Sequence, residues 1–226
     1  MVPNNGPSQV VLRLYELAYK HKLSHLSSCI TALGIIYKIY SDIKDYHNNP
    51  TDNIFILSAG HSALALYVVL EHFYGIDAEE SLLKHGVHPH RDRYAMLECS
   101  TGSLGCGLPI AVGRALGNKK QTVHCLISDG ECAEGSIWES LRFIKEKNLS
   151  NLKVYVNMNG YCALNVVDLE YLEKRLKAFL PEITCCYTET DEICLAGING
   201  HYHILKDEDI KMIRTKYAEH VCKTTI

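Results

Sequence analysis

Two short segments of the 226-residue sequence place oxygen ligands beside glycine at the ends of apolar runs, Ser128-Asp129-Gly130 and Asn157-Met158-Asn159. Hard cations such as Mg²⁺ take carboxylate, amide and main-chain oxygens and usually share their shell with substrate phosphates. Asp129, the amide oxygen of Asn159 and a nearby backbone carbonyl would hold Mg²⁺ against a diphosphate. Gly130 would let its backbone N–H approach a phosphate oxygen without a side-chain clash. Asp-Gly and Asn-Gly are also ordinary turn dipeptides, and spacing alone leaves both readings open.

A second candidate is the glycine-dense stretch Gly102-Ser-Leu104-Gly105-Cys-Gly107. It is not the Gly-x-Gly-x-x-Gly of dinucleotide folds, because its glycines come in the reversed order and no acid stands at the ribose distance. It reads equally as a backbone passing close to a ligand or as a flexible turn. His25, His61 and His88 sit at element junctions, where a neutral imidazole can exchange hydrogen bonds with a sugar hydroxyl or move a proton. With 12 histidines in the chain, that pattern is weak by itself. Glu134 and Glu139 follow Asp129 closely and read alone as a solvated acidic helix start.

These residues need elements to position them. Helical spacing marks Val10–Lys20, with Ser8 as its cap, and Ser27–Tyr40, His61–Phe73, Leu108–Leu116, Ile137–Lys147, Asp168–Phe179 and Asp207–Tyr217. Short apolar runs predict strands at Ile54–Leu57, Thr122–Ile127 and Leu152–Val156, with weaker ones at Glu192–Ile198 and near Val221. Asp45–Asp52, with Pro50, is a polar break. Apolar strands alternating with helices predict an α/β domain, a parallel sheet with helices on both faces. In open sheets of this kind ligands lie beyond the carboxyl ends of the strands, near a reversal of strand order. No repeat or linker divides residues 1–226, so one domain is expected.

Composition narrows the classes. A hydrophobic fraction of 47% against 22% charged is a globular balance. A formal charge of −3 argues against a nucleic-acid binder. No window reaches the ~18 apolar residues of a membrane span, and the start lacks a secretory pattern, so a cytoplasmic protein is expected. The 10 cysteines include no Cys-x-x-Cys pair and read as reduced thiols, not as a zinc or disulfide framework.

Taken in order, the segments resemble the diphosphate-binding, N-terminal half of a transketolase. The likeness runs from Leu23-Ser-His25-Leu-Ser-Ser-Cys-Ile-Thr through Leu57-Ser-Ala-Gly-His61-Ser and Gly86-Val-His88-Pro to Ser100-Thr-Gly-Ser-Leu-Gly105-Cys-Gly. It continues in Ser128-Asp-Gly-Glu-Cys-Ala-Glu-Gly-Ser-Ile-Trp-Glu139 and ends at Asn159, 30 positions beyond Asp129, the spacing of the family's thiamine diphosphate signature. The resemblance implies a thiamin diphosphate-binding fold and transfer of a two-carbon ketol unit from a ketose to an aldose. By position it implies that Asp129, Asn159 and the main-chain oxygen of Tyr161 hold Mg²⁺ (or Ca²⁺) on thiamine diphosphate. It implies further that Gly130 and His61 meet the diphosphate, and that Gly102 and Leu104 meet the aminopyrimidine ring. His25, His61 and His88 would line the channel for the sugar or sugar-phosphate substrate. Glu134 and Glu139 match buried acids that link the paired active sites of the family's dimer, Glu134 serving both cofactor and catalysis.

The sequence also departs from the family. Ser128 replaces a glycine, and Cys106 stands at a position that is usually glutamine. The pyrimidine-binding domain, which carries the glutamate that activates the cofactor, is absent, and Val221–Ile226 resembles only the start of the segment that ends this half. A split enzyme is therefore expected, an α2β2 assembly with the pyrimidine half on a separate C-terminal subunit. A natural short subunit is preferred over a fragment on the family-like start after Met1. The alternatives are another thiamine diphosphate enzyme, such as a deoxyxylulose-phosphate-synthase-like subunit, or a cofactor-free homologue that regulates a partner.

Overall fold

A computed structural model describes residues 8–43, 52–162 and 165–223. Four strands, β1 (Asn53–Leu57), β2 (Thr122–Ser128), β3 (Leu152–Met158) and β4 (Thr184–Tyr187), form a parallel sheet in the order β1-β2-β3-β4. The register places Leu57 opposite Leu126, Ser128 opposite Asn157 and Met158 opposite Tyr187. Their carboxyl ends are therefore level, and all the polar residues that follow them emerge on one edge of the sheet.

Strand alternation divides the core between two faces. Phe55, Leu57 and Leu126 face α1 (Ser8–Lys20), α2 (Leu26–Asp42), α3 (Ala63–Tyr74), α4 (Ala78–His85) and α8 (Asp207–Lys223). Ile54, Ile56, Val123, Cys125, Ile127, Val154 and Val156 face α5 (Gly107–Gly117), α6 (Gly135–Glu146) and α7 (Leu169–Phe179). The near-continuous apolar runs of β1 and β2 follow from burial on both sides. The amphipathic helices are capped where the sequence provides an acid: Asp168 accepts from the Tyr171 amide at 3.0 Å.

The expected helices and the three clear strands are present, with ends moved by a few residues. Four assignments change. Glu192–Ile198 is not a strand but contains a 3-10 turn at Ile193–Leu195, with Gly197 at φ +70°. The fourth strand is Thr184–Tyr187, where Cys186 alone is buried. An edge strand exposed on most of its length carries no apolar run to announce it. Val221 lies within α8, not in a last strand. Helix α4, which no apolar period announces, is closed at its start by Asp77, whose carboxylate accepts the Glu80 amide at 2.7 Å. The break at Asp45–Asp52 falls outside the described residues except for Asp52. Among the described strands the order never reverses, so the ligand-binding edge is set by the common direction of the strands and not by a switch point.

Candidate functional site

β2 delivers Asp129 to that edge. Pairing continues one residue past the strand, with the Asp129 amide donating to the Asn157 carbonyl at 3.0 Å. Asp129 is 2% exposed. Its Oδ1 accepts from the Gly130 amide at 2.9 Å and its Oδ2 from the Gly160 amide at 2.6 Å, which joins the loop after β2 to the loop after β3. Gly160 reaches this position at φ +84°, a conformation that favours glycine. Burial pushes the Asp129 carboxyl up to about 6, against the pull of the backbone amides around it.

Asn157 and Asn159 both donate through Nδ2 to Thr31 Oγ1 on α2, at 3.0 and 3.3 Å. The Asn159 Oδ1 accepts from the Tyr161 amide at 2.9 Å. These bonds aim the two amides from the third strand into the cleft. A Cβ at Gly130 would lie 3.1 Å from the Cys162 Cβ, a tight contact that the glycine avoids.

The histidines approach from the facing elements. His25 precedes α2 at φ 64°, strained for a residue with a side chain. It is held by its amide, which donates to the His201 carbonyl at 2.8 Å, and by Ser24 Oγ, 2.9 Å from Nδ1. Its ring meets His201 edge-on at 4.3 Å between centroids, with His61 at 5.9 Å. Burial, followed by the neighbouring His25, His201 and His88, lowers His61 to about 4, so it is neutral at neutral pH. His25 and His201 are lowered as well, chiefly by burial. His88 presses on the glycine-dense segment, where a Cβ on Gly102 would lie 3.2 Å from its side chain.

One cleft of about 190 Å³ gathers His25, His61, His88, Leu104, Asp129, Gly130, Asn159 and Tyr161, eight of the residues singled out in the sequence. Gly102 borders it through His88. Glu134 and Glu139 do not enter it. Both are exposed on the single chain, and Glu134 packs against the backbone of Gly105. The glutamate of this segment that the chain itself encloses is Glu131. Its Oε1 accepts from Ser58 Oγ at 2.6 Å and the Gly105 amide at 2.9 Å, and its Oε2 accepts from the Ser128 amide at 2.9 Å. One carboxylate thus fastens the ends of β1 and β2 to the glycine-dense segment.

His201, Thr31 and Gly160 also belong to the site without having been named as candidate site residues in the sequence. Gly160 follows Asn159 directly and was legible as a turn, whereas His201 reaches the cleft from a distant loop that no local pattern connects to it. The cleft's described lining contains no lysine or arginine, and Asp129 is its carboxylate.

Fold and cleft define a class: an α/β domain with a polar site at the carboxyl edge of a parallel sheet, furnished with a buried acid, two amides and several neutral imidazoles. Residues 18–191 match the family model described as transketolase, thiamine diphosphate binding domain. The chain belongs to the transketolase family.

One of the subunits of the apulose-4-phosphate transketolase of Phocaeicola vulgatus is 31% identical over 185 residues, covering 74% of this chain and 66% of that protein. Transketolase-like protein 2 of Mus musculus is 32% identical over 173 residues, 69% of this chain but 28% of its own length. Human transketolase is 32% identical over 174 residues, again 28% of its length. The chain therefore spans under a third of these two longer relatives. Among solved structures, transketolase from Campylobacter jejuni superposes over 93% of this chain and 43% of its own, with TM-score 0.66 and 19% identity. A transketolase variant from Pichia stipitis in complex with fructose 6-phosphate gives TM-score 0.71 at 18% identity, over 93% and 40%. At these identities the superpositions establish the fold.

Proposed function

We propose that this chain, residues 1–226 as one diphosphate-binding domain, is the first component of a two-component transketolase dependent on thiamine diphosphate. The observation that carries the reading is the single cleft in which buried Asp129 and the Asn157 and Asn159 amides face a cluster of histidines.

The residues fit a cation-bound diphosphate. Asp129 is buried without a lysine or arginine in the described lining, so no cationic side chain there balances its charge or would neutralise a diphosphate. A divalent cation does both. Asp129, Asn159 and the main-chain oxygen of Tyr161 would hold Mg²⁺ or Ca²⁺. For this, Asn159 Oδ1 would share or give up its bond to the Tyr161 amide. Gly130 and His61 would border the diphosphate, and Gly102 and Leu104 the aminopyrimidine.

When bound, thiamine diphosphate supplies the carbon nucleophile and electron sink that cleavage of a ketose carbon–carbon bond requires. The chain contributes orientation and proton handling. Neutral His61, with His25 and His88 around it, can accept from or donate to the hydroxyls and carbonyl of a sugar or sugar phosphate. Exposed Glu134 and Glu139 would become buried against another chain, where Glu134 would reach the cofactor. The partner is a pyrimidine-binding C-terminal subunit in an α2β2 assembly. The Phocaeicola vulgatus relative, named as one subunit of its transketolase, supports this reading. Among the described residues no helix is long and apolar enough to cross a membrane, and a cytoplasmic enzyme is proposed.

Native mass spectrometry of the protein purified from its own cells with Mg²⁺ and thiamine diphosphate tests this directly. The expected species has two copies of this chain, two of a second chain of roughly 30 kDa, an ordinary domain size or slightly more, and two cofactors. It should transfer ketol units that the isolated chain does not. Activity of the isolated chain would refute the two-component reading, and a cofactor-free monomer or homodimer would favour a regulatory homologue.

A further inference from the structure

Apart from the Asp129 cleft, the loop between β4 and α8 brings together three side chains of different metal-binding types. Among the described residues, Cys194, His203 and Asp209 offer ligand atoms that all lie within 4.8 Å of one another. Cys194 belongs to the 3-10 turn Ile193–Leu195, Asp209 to the first turn of α8, and His203 to the connection between them. Asp209 is buried and the other two are half-buried. The Asp209 Oδ2 lies 2.8 Å from His203 Nε2 and accepts the Lys206 amide at 2.9 Å. The carboxylate is thus fixed by the start of its own helix before any ion arrives.

We propose that Cys194, His203 and Asp209 form a Zn²⁺ site. A thiolate with an imidazole and one carboxylate suits a borderline-soft ion, whereas Mg²⁺ and Ca²⁺ require oxygen shells. Zinc bonds of about 2.0–2.3 Å in tetrahedral geometry set ligand atoms roughly 3.3–3.8 Å apart. The present cluster reaches that spacing with small side-chain shifts, the His203–Asp209 pair opening by about half an ångström from its hydrogen-bonded contact. Three protein ligands leave the fourth position to water.

Burial, followed by the charges of Asp209 and Glu192, raises the Cys194 thiol to about 11. Zinc uptake therefore forms a sulfur–zinc bond and releases the thiol proton to solvent. His203 stands two residues after His201, so the ion would fasten the loop whose carbonyl and ring hold His25 in the cleft. That consequence rests on the proposed role of the cleft, but the metal site itself does not.

The test is a Co²⁺ titration of the full chain after removal of metals with a chelator. One equivalent should bind per chain with a thiolate-to-cobalt charge-transfer band that Zn²⁺ abolishes. Cys194→Ser should lose the band, and His203→Gln should weaken Zn²⁺ binding tenfold or more, each variant being checked for folding by circular dichroism. Asp129→Asn should keep the band, so failure of the diphosphate reading would leave this site standing. No band in the folded wild-type chain would overturn the proposal. A band undiminished by both substitutions would do so as well, because it would belong to another of the ten cysteines.

Discussion

A carboxylate buried beside backbone amides but without a basic partner is costly, and Asp129 carries that cost at the point where a cation would remove it. Its elevated pKa has a definite sign. Below about 6 the carboxyl holds a proton that a metal must displace. Mg²⁺-dependent binding of thiamine diphosphate by the assembled protein should therefore weaken by roughly fourfold as pH falls from about 7.5 to 5.5, where about a quarter of the carboxyl remains ionised. Isothermal titration at the two pH values measures this. Asp129→Asn should abolish the metal requirement together with most of the binding, and unchanged Mg²⁺-dependent affinity would remove Asp129 from the metal site. His61 is shifted the other way, downward. Its pKa, lowered from 6.5 to about 4, makes the folded state prefer neutral imidazole, so its contribution to stability is lost as pH falls through that interval.

At the scale of elements, the cleft depends on how closely α5 approaches the end of β1. The Gly107 amide donates to Ser58 Oγ at 3.1 Å, and a Cβ at Gly107 would lie 2.5 Å from the Ser58 backbone. Gly107→Ala should force strand and helix apart and destabilise the chain by about 2 kcal/mol or more in urea unfolding. Gly113, exposed in the same helix with nothing near a prospective Cβ, provides the contrast. Gly113→Ala should be neutral or stabilise by up to about 1 kcal/mol through backbone entropy. Equal effects of the two would show that the α5–β1 approach is adjustable. Glu131 completes this junction. It lies inside the very motif that carries Asp129 and Glu134, yet nothing local distinguishes it, because sequence position does not tell which of several nearby acids turns inward.

For the whole molecule, surface that is exposed on one chain is the clue to assembly. Glu134 and Glu139 point outward while Glu131 is enclosed, all within nine positions of one segment. Carboxyl labelling with a carbodiimide should modify Glu134 and Glu139 on the isolated chain and fall several-fold in the assembled complex. Glu131 should resist labelling in both states. Equal labelling of Glu134 before and after assembly would place the interface between chains elsewhere.

Local patterns in the chain were enough for the alternation of strands and helices, the positions of Asp129 and Asn159 at strand ends, and the glycine-dense turn. Each of these is a matter of apolar period, turn chemistry or small residues, and the five motifs in order carried the family likeness. Which residues share the cleft was settled only by folding. His201 arrives there 176 positions after His25 because the loop before α8 folds back on α2, and its carbonyl holds the His25 amide. The fourth strand arose the same way, since Thr184–Tyr187 exists through hydrogen bonds to β3 and not through any apolar run of its own. Long-range pairing and inward or outward orientation depend on packing between distant segments, which no window of the sequence contains.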